Sequence, residues 1–330
     1  ETIKKTPLEL YKKTFKLSSN KHFEVVLGNR KLYYNSNLSQ NQNVDRPIEP
    51  NKDFDWKSTY GIYTQALEFE KQRKYPEALN LYLACYKKEP GFAPALNRLA
   101  MSYFRIMKYN EGLKFAKLSL RIDTYDPLAN YAFGLIQNGL GNLPEAKSGF
   151  SIASQSTSYR SAAYTELAKI VLNEKDYIKS EYYLKKALSF NKFNMSALEL
   201  LALVYRKRKL IDKAEVVLRE IEEYNGNNHF ISSEKSFLKS SNLSQITSQI
   251  TNELAEETFL ELALKYYEYG FNYEAVKILE LAPKKVMILL WKAYLKENKG
   301  EEDLLSALKL PIEFVFPHRI ESITLLNDFI

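Results

Sequence analysis

Histidine and cysteine are the residue types that most often hold metals or act as nucleophiles, and this chain of 330 residues has few of them. His22, His229 and His318 are far apart in the sequence. None has a second histidine or a cysteine at helical spacing, so no local pattern supports a metal site. Cys85 is the only cysteine, which excludes an internal disulfide framework. We therefore predict no metal and no cofactor.

Two glycine-containing stretches have only part of a nucleotide-binding pattern. The sequence "GLGN" at 139–142 contains a lone GxG, but it follows a helical pattern, whereas a dinucleotide loop follows a strand. The sequence "GNRK" at 28–31 lacks the GK[ST] ending of a phosphate loop. The carboxylate pair Glu256 and Glu257 stands at a predicted helix start, where it complements the helix dipole. We predict that this segment is not an enzyme.

Charge and hydropathy exclude two further classes of partner. The net charge is +7, but the 47 basic and 40 acidic residues are interspersed. The densest basic cluster, "YRKRKL" at 205–210, has acidic neighbours, so we predict no nucleic-acid binding. No apolar run reaches the roughly 18 residues that a membrane-spanning helix needs. We therefore predict no membrane span.

A repeat of 34 residues organises most of the chain. Five units begin at Thr59, Ala93, Pro127, Ser161 and Met195, and a sixth copy begins near Glu256. Positions 8 and 20 of every copy hold a small residue. At position 8 these residues are Ala66, Ala100, Gly134, Ala168, Ala202 and Ala263, and at position 20 they are Ala78, Gly112, Ala146, Ser180, Ala214 and Ala275.

This pattern predicts a stack of helix pairs. Positions 4, 7, 8 and 11 share one face of a first helix, and positions 20, 24 and 27 share one face of a second helix. Small residues at positions 8 and 20 let the two backbones approach closely, and large apolar residues at positions 7 and 24 fill the space between pairs. Cys85 occupies position 27, so we interpret it as a packing residue. Neither helix pair can bury its apolar face alone, so neighbouring pairs must stack.

The period and the small and large positions resemble the tetratricopeptide repeat, whose length is also 34 residues. The resemblance implies an all-α, right-handed superhelical solenoid of antiparallel helix pairs. The runs "HFEVV" and "KLYY" around Gly28 predict a short β-hairpin at the N-terminal side. Phrases such as "LRIDTYDPLANYAFGL" and "FVFPHRIESITLLN" also resemble a subgroup of large bacterial tetratricopeptide proteins that carry an upstream β-rich domain of unknown function.

The predicted domain organisation follows the repeat frame. We expect a β segment over residues 1–45, the tail of an upstream domain, and a linker over 46–58. Five repeats follow over 59–228, then an irregular helix pair over 229–255. The sixth repeat and C-terminal helices take 256–330. Because the sequence does not start with Met, we expect it to be part of a longer chain. Cytoplasmic and periplasmic locations both stay open.

The candidate binding surface is a stripe on the first helix of each repeat. Positions 2, 5, 9 and 12 are spaced by three and four residues and are rotated away from the packing face. In a curved stack these stripes line the concave groove. Aromatic, Met and Arg side chains are enriched at protein interfaces. The predicted groove residues are Tyr60, Tyr63, Asn97, Met101, Phe104, Arg105 (position 13), Tyr131, Asn138, Lys169 and Arg206, and the same stripe also includes Glu70, Leu135, Thr165 and Glu199.

The predicted function is a non-catalytic scaffold that binds a protein or peptide, or the upstream domain of the same chain, in this groove. One alternative is the accessory or oligomerisation region of a bacterial carbohydrate-active enzyme whose catalytic domain lies upstream. Another is homo-oligomerisation through the ends of the solenoid.

Overall fold

A computed structural model describes residues 12–16, 22–27, 32–37, 53–238, 243–296, 300–313, 315–319 and 321–329. The predicted turn at 28–31, most of the predicted linker and Ile320 lie outside the described residues. The chain divides into two compact units, Glu1–Trp56 and Lys57–Ile330.

The first unit contains the predicted β-hairpin, which the structure confirms. Strand β1 (Glu24–Leu27) pairs with β2 (Leu32–Asn35) in an antiparallel register. The Glu24 carboxylate accepts hydrogen bonds from the Tyr33 hydroxyl at 3.0 Å and from Asn35 Nδ2 at 3.3 Å. This polar cluster links the two strands at the end opposite the turn.

The second unit is built from antiparallel helix pairs, so the predicted fold class is confirmed. Its first ten helices form five pairs: α1 (Thr59–Lys71), α2 (Tyr75–Lys88), α3 (Ala93–Arg105), α4 (Tyr109–Ile122), α5 (Pro127–Gly139), α6 (Leu143–Ala153), α7 (Arg160–Asn173), α8 (Tyr177–Phe190), α9 (Met195–Lys207) and α10 (Ile211–Tyr224). The helices that follow are mostly shorter, with α13 as the exception: α11 (His229–Leu238), α12 (Ser244–Gln249), α13 (Ala255–Glu268), α14 (Asn272–Leu279), α15 (Val286–Lys296), α16 (Glu301–Ala307) and α17 (Ser322–Phe329).

The turn inside each pair has the same backbone geometry in six copies. Position 15 adopts a positive φ between 56° and 79° in every case. This left-handed conformation ends the first helix and is easiest for glycine, because other residues lose about 1–2 kcal/mol there. Only two copies place glycine at this position. The six residues are Arg73, Met107, Gly141, Lys175, Lys209 and Gly270.

Small residues let the two helices of a pair approach closely, as the sequence pattern predicts. The Ser180 hydroxyl, at position 20, donates a hydrogen bond to the carbonyl of Ala168, at position 8, over 3.1 Å. A Cβ atom on Gly134 would lie 2.7 Å from the ring of Phe150. A larger side chain at either position would push the two helices apart.

Candidate protein-interaction surface

The predicted groove residues lie on the first helices of the five regular pairs. We call those on α1, α3 and α5 the N-terminal stripe, and those on α7 and α9 the C-terminal stripe. The N-terminal stripe comprises Tyr60, Tyr63, Glu70, Asn97, Met101, Phe104, Arg105, Tyr131, Leu135 and Asn138. The C-terminal stripe comprises Thr165, Lys169, Glu199 and Arg206.

A carboxylate with several donors lies at the centre of the N-terminal stripe. Glu70 accepts a hydrogen bond from the Tyr82 hydroxyl at 2.6 Å and from Arg105 Nη1 at 2.9 Å, and Arg98 Nη1 lies 3.5 Å away. Burial acts to raise the pKa of Glu70, but the Tyr82 hydroxyl and the two guanidinium groups outweigh it, so the pKa lies below its ordinary value. Glu70 is therefore ionised at neutral pH and holds both arginines on this surface.

Sequence reasoning missed two members of this cluster, Arg98 and Tyr82. Arg98 occupies position 6 and Tyr82 is a core residue of the second helix α2. The sequence did contain a signal for Arg98. A residue at position 6 lies next to position 5 on the same helix, so a side chain as long as arginine can reach the stripe from there. The cluster adds positive charge, because two guanidinium groups face one carboxylate.

The aromatic residues of the N-terminal stripe serve partly as packing residues. The Tyr63 ring contacts Tyr82 and Phe92, with centroids 5.9 and 5.4 Å away. The Tyr131 ring contacts Phe150 and Tyr159 at 5.7 and 5.4 Å. Burial, and then the charge of Glu166, raise the pKa of Tyr131. Each ring therefore presents one side to the core and leaves its remaining surface on the stripe.

Other N-terminal residues are more accessible. Tyr60 is 60% exposed, and Asn138 is also exposed. The Arg105 side chain is 38% exposed, and its guanidinium lies 4.8 Å from the centroid of the Tyr75 ring. Met101 and Phe104 are partly buried against the core of the first repeats. The N-terminal stripe thus offers aromatic, cationic and amide groups side by side.

Asn97 has a different role from the one predicted. Its side chain is only 4% exposed, and its Nδ2 donates to Asp126 Oδ1 at 3.0 Å. Asp126 caps the next first helix, α5, by accepting a hydrogen bond from the N–H of Ala129. The Asn97 amide therefore connects one repeat to the next.

The same link recurs further along the stack. Asn194 Nδ2 donates to Thr165 Oγ1 at 3.0 Å, and Asn228 Nδ2 donates to Glu199 Oε1 at 2.7 Å. In each case a polar residue at position 5 bonds the residue at position 34 of its own repeat, 29 residues later. That recurring separation is a sequence signal that could have distinguished the inter-repeat links from partner-binding residues.

The C-terminal stripe contacts helix α13 of the same chain. Lys169 forms ion pairs with Glu166 at 3.2 Å and with Glu268 at 2.9 Å. Glu199 forms an ion pair with Lys265 at 2.9 Å. Because Glu268 and Lys265 both lie on α13, this helix spans the stripes of α7 and α9.

A buried ionic network surrounds Arg206. Its guanidinium donates to both carboxylate oxygens of Glu234, at 2.7 and 2.9 Å, and to Glu274 at 3.0 Å. Glu234 is fully buried and also accepts a hydrogen bond from the Tyr266 hydroxyl at 2.8 Å. Lys207 forms a second ion pair with Glu274. Arg206 thereby joins α9 to α11 and α14.

The turn between α13 and α14 packs on the ends of α7 and α9. Lys175 Nζ donates to the carbonyl of Gly270 at 2.7 Å, and Asn173 Nδ2 donates to the carbonyl of Glu268 at 3.3 Å. The ammonium groups of Lys175 and Lys207 lie 4.5 and 4.4 Å from the centroid of the Phe271 ring. Residues about 95 positions apart are thus in direct contact.

A cleft of about 540 Å³ remains beside α13. Its charged groups are largely those already paired across the C-terminal stripe. The lining includes Lys169, Glu199, His229, Lys265, Glu268 and Tyr269. Within the described ranges, no three His, Cys, Asp or Glu residues come together as a potential metal site. Within the same ranges, no helix is both long enough and apolar enough to cross a membrane.

Cys85 and two of the three histidines are not among the residues that line the stripes or the cleft, whereas His229 lines the cleft. Cys85 is fully buried, and its thiol lies 3.5 Å from the carbonyl of Thr59. Burial raises the pKa of this thiol, so it is protonated at neutral pH. His22 and His318 are exposed, and His229 is partly exposed at the start of α11. Cys85 therefore packs at position 27 as the sequence predicted.

Comparison with known proteins adds fold-level information. No protein-family model matches the chain. A mouse protein described as BBSome complex member BBS4 is 27% identical over 146 residues, which cover 44% of this chain and 28% of that protein. The match thus spans less than a third of the length of this curated relative.

Solved structures match a larger part of the chain. A tetratricopeptide repeat protein from Parabacteroides merdae superimposes with a TM-score of 0.52 and 14% identity, over 76% of this chain and 99% of that one. The C-terminal part of a repeat-containing protein from Cytophaga hutchinsonii covers 80% of this chain at 17% identity, with a TM-score of 0.47. At 14% identity, the likeness to the Parabacteroides merdae protein concerns the fold alone, and it agrees with the 34-residue period and the helix pairs. The chain therefore has the helix-pair fold that is seen in this tetratricopeptide repeat protein.

Proposed function

We propose that this chain is a non-catalytic scaffold that holds a polypeptide segment on its N-terminal stripe. The observation that carries the proposal is the contact between α13 and the C-terminal stripe. There, positions 5 and 9 of two successive first helices already bind a helix through ion pairs. On the matching side of α1, α3 and α5, the accessible side chains are those of Tyr60, Arg105 and Asn138, and we infer that they contact a polypeptide in a comparable way.

The side chains of the N-terminal stripe suit a peptide partner. Tyr60, Arg105 and Asn138 are exposed or half-exposed there. Tyrosine supplies contact area at a small entropic cost, and arginine supplies both hydrogen bonds and stacking. An amide such as that of Asn138 can pair with both the donor and the acceptor of a peptide group. These are general interface properties, and they support a protein partner over a small molecule.

The identity of the occupant stays a prediction. An upstream domain of the same chain and a separate protein would both present polypeptide to the stripe. The accessory role beside a carbohydrate-active domain has no supporting contact among the described residues, and it also stays a prediction.

The test is site-specific photocrosslinking followed by a titration. A photoreactive benzoylphenylalanine replaces Asn138 on the stripe, or Lys117 on the outer side of α4 as the matched control. The expected result is a polypeptide adduct from a cell extract that forms from position 138 and not from position 117.

The captured polypeptide is then titrated against wild-type chain and the triple variant Tyr60→Ser, Arg105→Met, Asn138→Arg. We expect at least tenfold weaker binding to the variant, because the three accessible side chains are lost together. Circular dichroism checks that the variant keeps its helices. Equal affinity of a folded variant contradicts the proposed surface.

A further inference from the structure

We propose that two copies of this chain form a two-fold symmetric dimer through α8 and α10, the outer helices of the fourth and fifth repeats. In this dimer the exposed side of α8 in one copy packs against the exposed side of α10 in the other. The occupant of this surface is thus a second copy of the chain. The proposal does not depend on the proposed function of the stripes.

The exposed side of α8 is apolar and basic. Ile178 is 71% exposed and Tyr182 is 55% exposed, and Phe193 follows the helix at 58%. Lys179, Lys185 and Lys186 lie among them on the same side. This arc of the helix contains no acidic residue, because Glu181, the only carboxylate within α8, is buried.

The burial of Glu181 makes the charge of α8 more one-sided. Its carboxylate forms an ion pair with Lys185 at 2.6 Å and another with Arg208, the residue just after α9.

Lys179 is exposed, and Lys186 is partly exposed with its ammonium 5.8 Å from the centroid of the Tyr182 ring. The exposed carboxylate of Asp176, which caps α8, lies three residues before Lys179 and offsets part of this charge. Lys179 and Lys186 are the two lysines that give the exposed side of α8 its positive charge.

The exposed side of α10 is apolar and acidic. Val216 is 55% exposed and Tyr224 is 40% exposed. Four exposed carboxylates lie along the same helix, against one exposed arginine and one exposed lysine. These carboxylates are Asp212, Glu215, Glu222 and Glu223.

The two surfaces adjoin each other. The ring of Phe193, just after α8, contacts the ring of Tyr224, at the end of α10, edge to face with centroids 5.0 Å apart. An apolar strip therefore connects a basic side to an acidic side. A two-fold axis that runs between α8 and α10, parallel to them, places each basic side opposite the partner's acidic side. Such an arrangement is self-complementary and closes after two copies.

Charge also argues against other partners for this surface. An anionic membrane or a nucleic acid would be attracted by α8 but repelled by the adjacent carboxylates of α10. Helix α4 has Lys114, Lys117 and Arg121 on its exposed side, and Ile122 at its end and Tyr125 just after it are also strongly exposed. The combination of apolar side chains with opposite charges on neighbouring helices is what favours a second copy.

The test is a charge swap measured by sedimentation velocity on the 330-residue chain. The first variant, Lys179→Glu with Lys186→Glu, makes both exposed sides acidic. The second, Glu215→Lys with Glu223→Lys, makes both basic. Each variant alone is expected to dissociate at least tenfold more readily than wild type, because like charges then face each other.

Mixing the two variants restores opposite charges at both contacts. An equimolar mixture is expected to form a heterodimer of near wild-type affinity, and so is a single chain that carries all four substitutions. The matched control, Lys114→Glu with Lys117→Glu on α4, is expected to dimerise as wild type does. Circular dichroism confirms that each variant is folded.

Three results would overturn the proposal. The first is a wild-type chain that stays monomeric at 100 µM. Binding of this monomer to vesicles of phosphatidylcholine with 30% phosphatidylglycerol would then indicate a membrane partner instead. The second is a dimer that both reversed variants retain. The third is a failure of the mixed variants to associate although each remains folded.

Discussion

The two stripes of this solenoid lie on the same side of the first helices but make different contacts. On the C-terminal stripe, Lys169 and Glu199 contact α13, and Arg206 lies in a buried network with Glu234. On the N-terminal stripe, Arg105 remains 38% exposed beside Glu70. The repeat position of a residue therefore does not by itself determine whether the residue binds a partner. On the C-terminal stripe, the tertiary structure places the chain's own helix α13 against these residues.

The largest expected difference between the stripes is the stability effect of losing one arginine. Arg206→Ala removes the guanidinium that donates to the buried carboxylates of Glu234 and Glu274. Breaking a buried ion pair costs about 3–5 kcal/mol of stability. Arg105→Ala removes a partly exposed pair, for which about 0–1 kcal/mol is typical. Urea unfolding at pH 7 measures both free energies. Similar losses for the two variants would contradict the contrast between a buried and an accessible stripe.

A second prediction concerns what the two halves share. Ala100→Leu and Ala168→Leu each enlarge a fully buried position 8, and overpacking costs about 1–3 kcal/mol. We expect comparable losses in the two halves, because the helix-pair packing is the same in both. Equilibrium denaturation compares the midpoints with that of wild type. Unchanged midpoints in both variants would mean that position 8 is not a close helix contact.

A third, smaller effect tests the contact between the α13–α14 turn and α7. Lys175→Ala removes the hydrogen bond to the Gly270 carbonyl and the ammonium group beside Phe271. A hydrogen bond from a partly exposed charged group contributes on the order of 1 kcal/mol. We expect amide hydrogen exchange to speed up about fivefold in α13 and α14 and to stay unchanged in α1 to α5. Lys117→Ala on α4 is the control, and uniform changes along the chain would argue against a local contact.

The smallest expected effect is a difference in the sign of pH dependence. The pKa of Glu70 is lowered, so its stabilising contribution is present above its ordinary value of 4.5 and is lost as the pH falls through its folded pKa. Burial raises the pKa of Glu166 despite the nearby Lys169. Ionised Glu166 therefore lowers stability at neutral pH, and this penalty disappears as the pH falls through its folded pKa.

Glutamine variants isolate the two contributions. The advantage of wild type over Glu70→Gln should hold from pH 7 to about pH 5 and shrink as the pH falls below 4.5. Wild type should gain stability relative to Glu166→Gln at higher pH, as the pH falls from 7 toward 4.5. Unfolding free energies at four or five pH values provide the measurement. Parallel pH profiles for the two variants would contradict the opposite pKa shifts.

Much of the fold could be predicted from the sequence, because its determinants are local. Small residues recur at positions 8 and 20, and a helix pair of this length must bury the face that carries them. The Ser180 hydroxyl contacts the Ala168 carbonyl in the way that this spacing requires. The hairpin follows in the same way from two β-prone runs separated by a short turn. Cys85 is buried because position 27 belongs to the same packing face.

The contacts of the candidate site depended on the tertiary structure. The sequence placed Lys169 and Arg206 on the correct helices, but not their partners Glu268, Glu234 and Glu274. Glu234 lies within the irregular pair α11 and α12, and Glu268 and Glu274 follow it. The 34-residue frame is lost in that pair, so no period predicts the direction of the chain. The position of Asn97 in the repeat predicted that it binds a partner. Its side chain is buried because it bonds Asp126, the residue that caps the next first helix, α5. Local spacing determines which face a residue occupies, and only the path of the whole chain determines what lies against that face.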